Sequence, residues 1–221
     1  MRVLSEPEAK RILSQAGVCV PPGAVSGSLE EALDVAREVG YPIVLKAVSP
    51  DILHKTEAGA VVLNLSGPEA LAEAYRRLID RLRARPVVNF AEVLVERMMP
   101  SGTEMIIGAR RDPQFGPVIM VGSGGIFVEV LRDVACRVAP VDRTDAKEMW
   151  QELRAAPILT GARGQEPLDT DSLEELLVTV SRLATNHGGL IEMDLNPVLL
   201  YPTGVVVVDA RILVEGPEVT L

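Results

Sequence analysis

Apolar residues recur at helical spacing in several stretches, four of them opened by a Ser or Asp with a Glu three residues later, the signature of a capping box. Ser5 and Glu8 open a helix with Ala9, Ile12, Leu13 and Ala16 along one face and Gly17 at its end. Ser28 and Glu31 open a second, with Leu29, Ala32, Leu33, Ala36 and Val39 inside and Gly40 after it. Ser66 with Glu69 predicts a third, running to about residue 85, and Asp171 with Glu174 another, ending near His187. A further helix is expected over about 142–155. Strands are expected at 43–48, 60–65, 92–96, 104–109, 117–121, 134–138, 190–193 and 205–209, segments rich in β-branched residues and bounded by Gly, Pro or Asp. Asp112, Pro113, Gln114, Phe115 and Gly116 read as a hairpin turn. Helix and strand alternate early and strands run together in the middle, which predicts an α+β chain in two lobes, 1–95 and 96–221, with a ligand cleft between them.

Composition narrows the function classes. The formal net charge of −9 argues against a nucleic-acid or anionic-membrane surface. No apolar run approaches a membrane span, and the N-terminus lacks the apolar core of a signal peptide. Cys19 and Cys136 stand far apart in apolar strings and read as buried thiols in a reducing cytoplasm. Among 22 basic residues only Lys10, Lys46, Lys55 and Lys147 are lysines. Lys10 and Lys147 fit polar helical patterns, whereas Lys46 interrupts an apolar strand.

Three clusters carry candidate chemistry. The first is Lys46 followed by SPDILHKTEAGAV. A strand lysine, a glycine-containing loop and a second strand can cover a phosphate, with the ammonium as a mobile charge. An edge lysine reaching solvent fits the window equally well. His54 in that loop is either an exposed imidazole or a phosphoryl acceptor. In the second cluster, Glu96 ends a strand and Arg97, Met98, Met99 and Pro100 form an extended connector. Such a connector can meet an adenine edge, or it is a core methionine pair beside a turn. Glu104 follows in an apolar strand, where a carboxylate needs a partner. Gly122, Ser123, Gly124 and Gly125 lack the dinucleotide-loop pattern and read as a tight turn. The third cluster holds oxygen donors near strand ends: Glu192, Asp194, Asn196 and Asp209. Asn196 and Asp209 can face one magnesium ion, although turn chemistry explains Asn196 before Pro197 almost as well.

In order and spacing, these segments resemble the ATP-grasp superfamily and, more closely, the β subunits of ADP-forming acetyl-CoA synthetases. The segments are SEPEAKRILSQAGV, YPIVLKAVSPDILHKTEAGAV, VLVERMMPSGTEMIIGARRDPQFGPV, GSGGIFVEVLRDVACRVAP, LTGARG, IEMDLNPVLL and VVVVDARI. The resemblance implies an ATP-grasp fold whose two lobes enclose ATP or ADP with Mg2+. It implies Lys46, with Lys55 and Gly59 in the same block, at the phosphates. Glu96 and Met98 would lie at the adenine, Glu104 toward the ribose or the reacting groups, and Asn196 and Asp209 on magnesium. His54 matches a histidine that carries phosphate transiently, with Asp194 orienting it. Glu129 and Arg163 fall in further motifs of the family. The implied reaction joins an acid to CoA with ATP turned over to ADP and phosphate. It needs a CoA-binding α subunit, in an α2β2-type assembly. A catalytically silent nucleotide sensor and an ATP-grasp carboxylate–amine ligase are the rival readings. The family loop carries two adjacent glycines where this chain has Ala58, Gly59 and Ala60.

Overall fold

The computed structural model describes residues 1–49, 58–83, 92–125 and 132–216. It divides into two compact units, one of Met1–Leu4, Glu8–Val20 and Ser101–Leu221, the other of Ser5–Pro7 and Pro21–Pro100. The class is α+β. A single cut near residue 95 does not describe this division, because strand β1 (Arg2–Val3) pairs with a strand near the C-terminus. Helix α1 (Glu6–Gln15) likewise packs Ala9, Ile12 and Leu13 into the core of the larger unit.

The smaller unit is a four-stranded antiparallel sheet in the order β2 (Gly23–Ser26), β5 (Glu92–Arg97), β3 (Ile43–Val48), β4 (Val61–Leu65). Helices α2 (Leu29–Val39) and α3 (Pro68–Arg83) belong to the same unit. Their Ala32, Ala36, Leu71, Ala74, Leu78 and Leu82 share one core with Ile43, Leu45, Ala47, Val93 and Val95. Each fully buried Leu or Ile there contributes roughly 1.5–3 kcal/mol. The period of two turns Val44, Lys46, Leu94 and Glu96 to the opposite face, yet all four are buried. Ser28 caps α2 as expected, accepting from the Glu31 amide at 3.2 Å. The Glu31 carboxylate accepts from the Gly27 amide at 2.7 Å.

The larger unit is a seven-stranded antiparallel sheet. Its main path is β1, β11 (Ala210–Val214), β9 (Leu190–Leu200), β6 (Thr103–Asp112), β7 (Gly116–Ser123), β8 (Val134–Val138), and β10 (Val205–Val207) also pairs with β9. Among the described residues, helices α4 (Arg143–Gln151), α5 (Ala156–Leu159) and α6 (Thr170–Asn186) belong to it. Leu173, Leu177 and Val180 of α6 are fully buried in a core with Ile107, Ile119 and Leu195. The cap of α6 is Asp169, not Asp171. Its carboxylate accepts from the Ser172 amide at 3.0 Å and from the Gly204 amide of the β9–β10 turn at 2.8 Å. Glu174, expected in the capping box, is buried instead and accepts from Trp150 Nε1 at 3.0 Å and Arg143 Nε at 3.3 Å.

Other expectations are corrected here. Both cysteines are free and exposed. Cys136 lies on the edge strand β8, between the half-exposed Val134 and Val138. Lys10 is buried, not on a polar helix face. The Gly122–Gly125 segment is less a turn than the end of β7, which runs on through Ser123. The Gly124 amide donates to the Glu104 carbonyl at 2.7 Å, and a Cβ at Gly124 would lie 2.6 Å from the Glu104 carbonyl carbon, so only glycine permits that approach.

Candidate active site

In the smaller unit two sequence-predicted residues, Lys46 and Glu96, meet a third, Glu6, around one ammonium. Lys46 Nζ lies 2.6 Å from Glu6 Oε1 and 2.9 Å from Glu96 Oε2, and all three side chains are at most 5% exposed. Lys46 and Glu96 are diagonal neighbours on β3 and β5, because Lys46 stands opposite Leu94. Glu6 arrives from the first turn of α1, 40 residues away in sequence. The solvent-reaching reading of Lys46 is therefore set aside: the ammonium is held inside the unit by charge-assisted hydrogen bonds. Glu6 was not legible as a site residue, since a Glu in a helix first turn is ordinary and no spacing rule links it to Lys46.

Past Glu96 the connector is pinned at its start. The Arg97 amide donates to Pro22 and the Met98 amide to Pro42, both at 2.9 Å. Met98 is half-buried. Gly59 has φ +62, and its carbonyl accepts from Arg81 Nη1 at 2.7 Å. A Cβ there would stand 2.5 Å from that nitrogen, the movable end of a flexible side chain, so it is the left-handed φ that favours glycine here. Ala60 is buried, its carbonyl accepts from the Ala47 amide at 2.8 Å, and its φ is not left-handed, so the alanine suits this backbone. His54, Lys55 and Glu129 lie outside the described residues, as does the side chain of Arg163.

In the larger unit β9 and β11 gather the oxygen donors. Glu192, Asp194 and Asn196 alternate along β9 and so share one face of the sheet. Across the ladder Asp194 stands opposite Arg211, and the Asn196 amide donates to the Asp209 carbonyl at 3.2 Å. On the other side Asp194 stands opposite Gly108 of β6, which presents no side chain against it. Arg211 Nη1 approaches Glu192 Oε1 at 3.9 Å. Asp209 Oδ1 accepts from the Ala210 amide at 2.8 Å.

Burial raises the pKa of Asp194, the Glu192 and Asp209 charges add to the rise, and Arg211 opposes it. A carboxylate whose folded pKa exceeds its unfolded value favours folding most at low pH. That contribution falls as pH climbs from the ordinary carboxylate range through the raised value. Asp194→Asn is therefore expected to raise the melting temperature at neutral pH, with the gain fading in acid. Thermal scans of both proteins across that pH range check this, and an unchanged or lower melting temperature at neutral pH contradicts it. A group at which the fold gives up stability is a candidate for chemistry.

Glu104 stands apart from these donors, exposed on β6. It lines a cavity of about 600 Å³ with Ser123, Gly125, Asp133, Arg154 and Ile158. Asp133, which sequence reasoning passed over, braces this region. Its buried carboxylate accepts from Ser123 Oγ at 2.6 Å and from the Arg154 and Ala155 amides at 2.7 and 3.0 Å. Burial works to raise its pKa, but these hydrogen bonds outweigh burial and lower it.

The donors Asn196 and Asp209 suit a hard cation. Among the described residues no group of three or more His, Cys, Asp or Glu has metal-site geometry. Two protein oxygens are what magnesium takes when phosphate and water complete its shell. The residues present thus fit a nucleotide-borne magnesium better than an all-protein cage.

Comparison with known proteins adds independent findings. A family model for the ATP-grasp domain matches residues 1–214. The β subunit of ADP-forming acetate–CoA ligase I from Pyrococcus furiosus is 45% identical over 213 residues, covering 96% of this chain and 92% of that one. Acetyl-coenzyme A synthetase 1 of Ca. Korarchaeum cryptofilum, solved with coenzyme A and Ca-AMPCP, superposes with a TM-score of 0.93 at 44% identity, covering 97% of this chain and 94% of that chain. A second structure of that enzyme, with coenzyme A and Mg-AMPPCP, has its phosphohistidine segment pointing towards the nucleotide-binding site. It matches with a TM-score of 0.84 at 43% identity, over 97% of this chain and 93% of that one.

Proposed function

This chain belongs to the ATP-grasp family, and from that premise we propose that it is the nucleotide-binding subunit of an ADP-forming acyl-CoA synthetase. The reaction is acid + CoA + ATP ⇌ acyl-CoA + ADP + phosphate. The observation that carries this reading is likeness over nearly the whole length of a β subunit. It is joined by a donor pair, Asn196 on β9 and Asp209 just before β11, whose backbones meet at the Asn196 amide and the Asp209 carbonyl. ATP or ADP would be held at its phosphates by Lys46, Lys55 and the Gly59 turn, and at its base by the connector of Glu96 and Met98. Asn196 and Asp209 would hold Mg2+, which when bound neutralises phosphate charge and aligns the phosphate oxygens. Glu104 would serve the ribose or the reacting groups, and Asp194 would orient the His54 ring. His54 would accept the phosphoryl group and pass it on.

A separate CoA-binding α subunit completes the enzyme in this reading, and the assembly works in the cytoplasm, in keeping with two free thiols. The test is reconstitution with that subunit and a screen of acceptors. Acyl-CoA formed from CoA supports the reading, while an amide formed from an amine instead transfers the chain to the carboxylate–amine ligases.

The magnesium assignment has its own expected result. Asp209→Asn should weaken Mg2+-dependent ADP binding by roughly tenfold or more, the loss of a charged oxygen ligand, with little change in stability. Titration calorimetry with and without Mg2+ measures it. Equal, metal-independent binding in both proteins removes the metal from these residues.

A further inference from the structure

The Lys46 cluster carries more than a phosphate contact. An ammonium held at 2.6 and 2.9 Å by two carboxylates offers no net positive charge to an arriving phosphate. The three charges are almost wholly out of solvent, where Coulomb interactions are screened least. For Lys46 to serve a nucleotide, one carboxylate has to give way. Glu96 cannot do so easily. It sits on β5, an inner strand of its sheet, with its main chain registered against Gly23 on one side and Val44 on the other. Glu6 has no such frame on both sides. It is the first residue of α1, at a helix end, where backbone constraint is weakest.

We propose that Glu6 is an affinity-setting residue of the nucleotide site, holding the Lys46 ammonium when no nucleotide is present and yielding it to phosphate when one binds. The inference rests on the nucleotide-binding reading above. Glu6 acts as an internal competitor, so its carboxylate lowers affinity for ADP and ATP and hastens their release. Glu96 keeps the ammonium aimed in both states. No bond is made or broken in this exchange, which swaps one charge-assisted hydrogen bond for another.

The experiment measures Mg-AMPPCP binding by calorimetry on the full chain. Glu6→Gln is expected to tighten binding by roughly tenfold, the scale of one hydrogen bond to a charged group. The same substitution made on a Lys46→Gln background, where binding is weak but measurable at high ligand concentration, should change affinity hardly at all, because the ammonium that Glu6 competes for is gone. Glu6→Asp, one methylene shorter, should also tighten binding and stands in if Glu6→Gln does not fold. Unchanged or weaker binding in the folded variant overturns the proposal, since a merely supporting Glu6 would lower affinity when removed. So does equal tightening on the Lys46→Gln background. Failure of the wild-type chain to bind Mg-AMPPCP would instead count against the nucleotide-binding reading itself, and would overturn this proposal with it.

Discussion

Lys46→Met should destabilise the fold by about 3–5 kcal/mol as well as weaken nucleotide binding severely, because it leaves the Glu6 and Glu96 carboxylates buried without their cation. The loss is large for the usual reason: a buried charge stripped of its partner keeps its desolvation penalty and loses its Coulomb return. Chemical denaturation of the mutant against wild type measures it. A companion variant, Glu6→Gln with Lys46→Met and Glu96→Gln, separates stability from function. It removes the stranded charges and should recover most of the stability while nucleotide binding stays weak. Lys46→Arg is expected to fail too, since a planar, bulkier guanidinium must enter a pocket with 5% exposure built for a compact ammonium. If Lys46→Met unfolds at the wild-type denaturant concentration, the carboxylate clamp contributes nothing and its description is wrong.

His54→Ala should leave ATP binding intact and stop phosphoryl passage between nucleotide and partner subunit. The expectation rests on the place of His54 in HKTEAGAV, between β3, which carries Lys46, and β4, and on the likeness to synthetases with a phosphohistidine segment. An imidazole nitrogen is a competent phosphoryl acceptor, and lysines and magnesium offset the charge that arrives with the group. Radiolabelled ATP, the mutant and its partner are mixed, and label on the partner's histidine is followed over time. A fall of several orders of magnitude is expected, as for removal of a covalent nucleophile. Normal labelling would mean that the partner's histidine reaches the nucleotide directly.

Much of the fold was legible because local chemistry and tertiary packing agreed. Ser28 caps α2 as its spacing predicts. Where they disagreed, a distant contact decided. Asp169 displaces Asp171 as the cap of α6 because the Gly204 amide also donates to it. The strand was expected to end at 193, with turn chemistry at Asn196 and Pro197, yet β9 continues through both, with a cis peptide after Asn196. The partners explain this. On one side β10 pairs as far as Val198 and β11 resumes at Leu195, and on the other β6 shifts register between Met105 and Ile107. The missing proline amide falls where the ladder is already interrupted. Strands β1 and β2 escaped because two to four residues carry no periodicity.

The candidate site divides in the same way. Glu192, Asp194 and Asn196 read as oxygen donors near a strand end, and they share one face only because β9 runs on past residue 193. Lys46 stood out as a lysine in an apolar strand. Its partner Glu6 did not, since a contact across 40 residues leaves no local trace. Arg81 on the Gly59 carbonyl and Asp133 on the Arg154 amide are equally silent in sequence, being ordinary residues on a helix and beside a strand.

The central claim is that this chain is the nucleotide-handling half of an ADP-forming synthetase. The most direct measurement takes the chain alone, its CoA-binding partner alone and the mixture, each with ATP, Mg2+, acetate and CoA, and counts nucleotide and thioester products together. The account predicts acyl-CoA in the mixture only, with one ADP and one phosphate formed for each thioester. Thioester formation accompanied by AMP and pyrophosphate, or an equal yield from the partner alone, would contradict it.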